Sequence, residues 1–165
     1  MVTILEASVS DITFIQELAH TTWPITYGEI LSKEQLDYML DLIYSEEALS
    51  AHFDKKEQLF YLIFENDIKL GFTSVEHNYS GDAVTKIHKI YLSPETQGRG
   101  IGKKAIDKIT EMALKENAKA LILNVNRFNK ALDFYKKIGF EVADEVNIDI
   151  GNGYLMEDYV MEKKI

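Results

Sequence analysis

Gln97-Gly98-Arg99-Gly100-Ile101-Gly102 separates a strand-forming run, Val84 to Leu92, from a run in which Ala105, Ile106, Ile109 and Ala113 recur at helical spacing. A chain that turns through glycines from strand into helix offers backbone N–H groups at the positive end of the helix dipole, where an anion binds. Spacing excludes two familiar phosphate loops. A dinucleotide fingerprint needs G-x-G-x-x-G and an acidic residue at the end of the next strand; here the glycines run G-x-G-x-G and that strand ends in Asn124 and Asn126. A Walker loop needs Ser or Thr after its lysine, and Lys103 is followed by Lys104.

Upstream of the loop, Leu59 to Glu65, Leu70 to His77 and Val84 to Leu92 are rich in aromatic and β-branched residues and are parted by the turn signals Asn66 to Lys69 and Ser80-Gly81-Asp82. They predict an antiparallel meander. Val2 to Glu6 predicts a first strand, and Ser8 and Ser10 are candidate caps for a helix carrying Ile12, Ile15, Leu18 and Ala19 that stops near Pro24. Ser32 with Gln35 forms a capping-box signature for a helix buried through Leu36, Met39, Leu40 and Ile43, and a shorter helix follows over Glu46 to Phe53. Downstream, Ala120 to Asn126 predicts a buried strand and Asn129 to Ile138 a helix closed by Gly139. Gly151-Asn152-Gly153 then turns a hairpin between Val142 to Ile150 and Tyr154 to Glu162.

The chain of 165 residues, 46% of them hydrophobic, suffices for one sizeable core, and no linker or repeat divides it. A single α/β domain over residues 1–165 is the expectation. The formal net charge of −9 argues against nucleic acid, which needs a basic surface to displace counterions, and suits cationic small molecules better. Absence of cysteine excludes disulfides, thiolate metal sites and a cysteine nucleophile. Met1 to Asp11 lacks the basic and apolar runs of a signal peptide, and no apolar run approaches the ~20 residues that span a membrane. A cytoplasmic location is expected.

Two segments together resemble the GNAT superfamily of N-acetyltransferases. Gln97 to Gly102 is similar to that family's Q/R-x-x-G-x-G/A pyrophosphate loop, preceded by a strand ending Ile90-Tyr91-Leu92-Ser93-Pro94. Asn129-Lys130-Ala131-Leu132-Asp133-Phe134-Tyr135-Lys136-Lys137-Ile138-Gly139-Phe140 resembles its N-x-x-A-x-x-F-Y-x-x-x-G-F segment, and the element order resembles the family's over nearly the whole chain. The resemblance implies a mixed, mostly antiparallel sheet splayed between two parallel strands, with helices on both faces. It further implies acetyl-CoA as donor. Its pantetheine arm would lie along backbone groups of Ile90, Tyr91 and Leu92, and its pyrophosphate against the amides of Gln97, Gly98, Arg99, Gly100, Ile101, Gly102 and Lys103. Asn129 would contact the pantetheine side and Tyr135 the sulfur.

An acceptor amine attacking a thioester must lose a proton, and the departing thiolate must gain one; no metal is required. Tyr135 is the candidate acid. His88 is the candidate base, read on strand alternation as sharing a face with Ile90 and Leu92, and Glu76 on the preceding strand is the alternative. The backbone N–H of Leu92 is the candidate oxyanion donor.

Acceptor choice is expected in the segment Trp23 to Tyr38 and in the C-terminal hairpin, which the resemblance places at the thioester end. Trp23, Tyr27 and Tyr79 are candidates for an aromatic wall, and Glu29, Asp37 or Glu76 for attracting an ammonium. The chain resembles the bacterial branch that includes polyamine acetyltransferases, so a polyamine is the leading acceptor, with a protein N-terminal or lysine amine as the alternative. A non-catalytic acyl-CoA sensor is a second reading; Tyr135 and His88 speak against it. The family often pairs through its C-terminal strands, and Tyr154 to Met161 offers an edge for a homodimer.

Overall fold

The computed structural model describes residues 1–165. Strand β1 (Val2–Glu6) leads to three helices, α1 (Ile12–Tyr27), α2 (Lys33–Tyr44) and α3 (Glu46–Lys55). A meander follows, made of β2 (Leu59–Glu65), β3 (Ile68–Glu76) and β4 (Val84–Leu92). Helix α4 (Ile101–Lys115), β5 (Ala120–Asn126), α5 (Ala131–Lys137) and the hairpin β6 (Glu141–Gly151) and β7 (Tyr154–Lys164) complete the chain. One seven-stranded sheet results, in the order β1-β2-β3-β4-β5-β7-β6. Strand β7 therefore lies inside the sheet, with Asp158 to Met161 paired on both sides, and Tyr154 to Met161 is not the free edge expected of it; the edge strand at that end is β6. Every neighbouring pair is antiparallel except β4 and β5.

The sheet separates two apolar layers. On one face Ile15, Trp23, Met39, Tyr44 and Leu49 of α1 to α3 pack on Phe60, Phe72 and Met156. On the other, Ile106, Ile109 and Ala113 of α4 meet Val75, Ile87, Leu121 and Met161, while Tyr135 of α5 packs beside them. Half of the capping box expected at α2 forms: the Ser32 hydroxyl accepts from the Gln35 amide at 3.1 Å, but the Gln35 side chain donates to Leu155 O at 3.0 Å and ties α2 to β7 instead.

Pro24 does not end α1. The helix continues one turn further, because Trp23 and Tyr27, four residues apart, are both buried and stack at 4.7 Å; their packing outweighs the hydrogen bond that proline cannot donate. That extra turn carries Tyr27 over the sheet.

Strands β4 and β5 pair only from Val84–Ala120 to Ile87–Leu123. Both then run on, β4 to Leu92 and β5 to Asn126, without pairing to each other. The parallel strands therefore part, leaving a wedge in the middle of the sheet. Each keeps its outer partner: β4 pairs with β3 as far as Leu92, and β5 with β7 as far as Asn126.

A β-bulge stands where the strands divide. Ser74 pairs with Lys89 and Val75 with Ile87, so His88 is the extra residue on β4. The bulge overturns the simple alternation read from sequence. Ile87 and Ile90, three apart, both pack toward α4 and α5, and Leu92 follows Ile90, whereas Tyr91 packs on the α1 face. His88 points away from Ile90 and Leu92, toward Glu76 and Tyr79.

Candidate functional site

The glycine loop is held open by backbone geometry. Gly98 and Gly100 have φ of +77° and +74°, a region that L side chains rarely adopt, and Gly100 caps α4. A Cβ placed on either would meet no heavy atom within 4 Å, so the space above them is free. Ile101, only 1% exposed, pins the start of α4 into the core. Among the loop amides, that of Gln97 is spent on Pro94 O at 3.2 Å, against the expectation that it faces an anion, and that of Arg99 on Thr96 O at 3.1 Å; those of Gly98, Gly100, Ile101, Gly102 and Lys103 donate to no protein acceptor. Five unspent donors converging at the N-terminus of a fifteen-residue helix make an anion cradle. The Arg99 guanidinium turns outward to pair with Glu65.

The cradle opens into a cleft that also includes Phe128, Asn129, Lys130, Phe134 and Lys137. Leu92, Gln97 and Asn129 line both this cleft and a second cavity of ≈ 240 Å³ in the wedge, so the two share a wall. The wedge cavity is bordered by His88 to Leu92 on one side, Leu123 to Val125 on the other, and Tyr27 and Tyr135. Backbone groups face into it. The Ser93 N–H donates to Leu70 O at 2.7 Å, which makes the neighbouring Leu92–Gly71 pair the kind whose N–H and C=O point away from the partner strand; alternation gives Ile90 the same direction. The polar edge of β4 at Ile90 and Leu92 is thus turned toward the gap left by β5.

His88 and Glu76 meet at this wedge, with Nε2 of the ring 2.8 Å from the carboxylate Oε2. Burial pushes the His88 pKa down, Glu76 pulls it up, and the charges of Lys86 and Lys89 push it down again. The ring is neutral at neutral pH. Its Nε2 proton is then donated to Glu76, which leaves Nδ1 as the free acceptor. Tyr79 lies edge-on to His88 at 5.9 Å between centroids, and its hydroxyl accepts from Lys86 Nζ at 3.2 Å.

On the opposite side, Tyr135 is wedged between Phe134 and Phe140, with centroids at 5.2 and 5.7 Å. Burial raises its pKa, so the hydroxyl stays protonated. Asn129 Oδ1 accepts from the Ala131 amide at 2.9 Å, which fixes the entry into α5 two residues later than the spacing suggests.

The acceptor candidates divide. Tyr27 lines the wedge cavity, its hydroxyl 3.4 Å from that of Tyr91. Trp23 does not line it: at 3% exposure it is a core residue against Tyr27, Tyr44 and Tyr91, as the buried stripe of α1 requires. Glu29 borders the cleft of the glycine loop, apart from Tyr79 and His88, because the turn after α1 overhangs that side. Asp37 is exposed and paired with Lys33 at 2.6 Å. The sequence reading does not single out Asp158, which is 7% exposed on β7 opposite Asn126 of β5. Its signal was an acid in register with inward Met156 on an alternating strand.

An anion cradle joined to a wedge with free strand edges, a neutral histidine and a protonated tyrosine is a shape and chemistry suited to a long phosphate-bearing ligand. The signature described as acetyltransferase (GNAT) domain matches residues 29–163, and the chain belongs to this family. Membership carries the reaction class, N-acetylation with acetyl-CoA as donor. A spermidine N(1)-acetyltransferase of Thermoplasma acidophilum is 26% identical over 98% of this chain and 96% of its own. An uncharacterized N-acetyltransferase of Methanocaldococcus jannaschii is 34% identical over 56% of this chain, a match that spans 43% of that protein. The crystal structure of PaiA N-acetyltransferase from T. acidophilum in complex with coenzyme A has a TM-score of 0.81 at 26% identity, with 100% of this chain and 99% of that chain covered.

Proposed function

We propose that the protein transfers the acetyl group of acetyl-CoA to a primary amine of a small polycationic acceptor by direct attack, with spermidine the first acceptor to test. The wedge between β4 and β5 carries this reading: His88, whose ring is hydrogen-bonded to Glu76, and Tyr135 line one cavity together with the unpaired edge of β4. The full-length likeness to a spermidine N(1)-acetyltransferase and the net charge of −9 support the acceptor class.

Each group then has a task. The amides of Gly98 and of Gly100 to Lys103 hold the pyrophosphate, and the Ile90 and Leu92 edge pairs with the pantetheine arm as an added strand. Asn129, on the wall common to cleft and wedge, steadies the arm. An alkylammonium has a pKa near ~10.4, so attack needs a base, and Nδ1 of neutral His88 takes that proton directly or through water. The Leu92 amide faces the wedge and donates to the developing oxyanion. Tyr135 gives its proton, or a hydrogen bond, to the departing thiolate.

Calorimetric titration with acetyl-CoA and CoA, wild type against Gly100→Glu, tests the donor site. Saturable binding lost in a folded Gly100→Glu variant supports the reading, and acetyl transfer to spermidine completes it. A folded wild-type protein that binds neither ligand would refute it.

A further inference from the structure

The cleft around the glycine loop departs in charge from the rest of the chain. Asp and Glu outnumber Lys and Arg by 27 to 18 over the whole sequence, whereas the residues lining the cleft include three lysines, Lys103, Lys130 and Lys137, against a single acid, Glu29. Lys103 is spent on Asp107 at 2.8 Å. Lys130 and Lys137 pair with no carboxylate, and Asp133, the one acid of α5, does not line the cleft.

Helical spacing puts these two lysines together. Lys130 precedes α5 already in helical conformation, with φ −60° and ψ −23°, so Lys130, Phe134 and Lys137 fall at i, i+4 and i+7. All three line the cleft, as one stripe about 10 Å long. Phe134 seats the stripe against the cradle: its Cζ lies 3.2 Å from where a Cβ on Gly102 would stand. The lysines thus flank the anion cradle from the α5 wall. Neither lines the wedge, where a cation would repel an ammonium acceptor.

Five free amides at the start of α4 serve a pyrophosphate, so two further unpaired cations in the part of the cleft away from the wedge call for a second anionic group. CoA carries one there. Its pantetheine arm leaves the pyrophosphate toward the wedge, and its adenosine, bearing a 3′-phosphate, leaves on the other side. We propose that Lys130 and Lys137 bind the 3′-phosphate of the donor and make the protein select CoA over 3′-dephospho-CoA. Two ammonium groups balance the charge of a phosphate monoester, about −2, and each offers three donors to its oxygens. The inference rests on the acetyl-transfer reading and names the part of the donor that it leaves unassigned.

CoA and 3′-dephospho-CoA are titrated calorimetrically at low ionic strength into wild type, a Lys130→Gln/Lys137→Gln double variant and Lys136→Gln, with thermal melting measured alongside. Lys136 is exposed on α5 but does not line the cleft. Wild type should bind CoA about tenfold tighter than 3′-dephospho-CoA. The double variant should bind the two ligands alike, with its melting temperature kept and its 3′-dephospho-CoA affinity within about twofold of wild type, and Lys136→Gln should keep the preference. Equal affinity of wild type for the two ligands overturns the inference, and so does a preference that survives in the double variant. A double variant that loses both ligands to the same extent overturns it too, since that places the lysines at the pyrophosphate. An equal loss of preference in Lys136→Gln would reduce the effect to net charge and also overturn it. Wild type that binds neither ligand strikes the acetyl-transfer reading itself, and this inference with it.

Discussion

Glu76 and His88 are joined across two neighbouring strands, Oε2 to Nε2 at 2.8 Å, at the one place where β4 carries an extra residue. Without the bulge His88 would face α4 and α5 beside Ile90; with it, the ring turns to Glu76 and the wedge. The carboxylate fixes the tautomer, and burial with two lysines keeps the ring unprotonated.

The pH dependence of kcat at saturating amine should therefore show an acidic limb below pH ~6.5, the ordinary histidine value, because the His88 pKa is depressed. Glu76→Gln removes the group that favours the imidazolium, so the limb should move further to the acid side. His88→Gln should lose the limb and about 10²-fold in kcat. A limb that neither substitution moves would assign the base elsewhere.

Tyr135→Phe keeps the ring packing between Phe134 and Phe140 and removes only the hydroxyl. Since burial keeps that hydroxyl protonated, its loss should lower kcat about 10²-fold and leave CoA affinity within a few-fold. The loss should shrink with an acyl donor whose leaving thiol is more acidic and needs no proton. Equal losses with both donors would make Tyr135 a packing residue.

Much of this architecture is legible in the chain because local chemistry and fold agree there. The glycines at 98 and 100 need positive φ, Gly151-Asn152-Gly153 takes positive φ at all three residues, and the apolar runs of β4 and β5 suit a doubly covered sheet. Other features depend on packing across distance. Pro24 reads as a stop until the burial of Trp23 and Tyr27 is known, and both rings read as an acceptor wall although only Tyr27 reaches the cavity. The bulge left a faint trace: two polar residues, His88 and Lys89, separate the inward Ile87 and Ile90, which strict alternation does not allow. Of the acids the sequence offers for attracting an ammonium, Glu29 and Asp37 lie near Tyr27 in sequence but apart from His88, whereas Glu76 reaches His88 through the pairing of β3 with β4.

Gly71 is needed where β3 meets the end of β4. A Cβ there would lie 2.3 Å from Tyr91 O and 2.7 Å from Leu92 Cδ2, so Gly71→Ala must push the strands apart beside the Leu92 edge. A loss of about 1–3 kcal/mol in urea unfolding is expected, with weaker CoA binding. Gly98→Ala meets no atom, so its strain is confined to backbone φ, about 1–2 kcal/mol. Unchanged stability in Gly71→Ala would show that the strands yield freely at that point.

Lys89 adjoins the bulge with Nζ 2.9 Å from Gln58 Oε1 and 5.5 Å from the Phe60 ring centroid, and no carboxylate pairs with it. Burial pushes its pKa from 10.5 to about 8. Between these values the unfolded chain holds the extra proton, so stability climbs with pH across that window and the burial penalty is fully present below pH ~8. The gap corresponds to about 3 kcal/mol, partly offset by the Gln58 hydrogen bond and the Phe60 contact. Lys89→Met should accordingly gain about 1–2 kcal/mol at pH 7 in chemical denaturation, with the gain shrinking as pH approaches ~10. Removing this charge also relieves His88 of a like-charged neighbour, so the acidic limb of kcat should shift upward. A gain independent of pH, or a variant less stable than wild type at pH 7, would mean that Lys89 is not strained by burial.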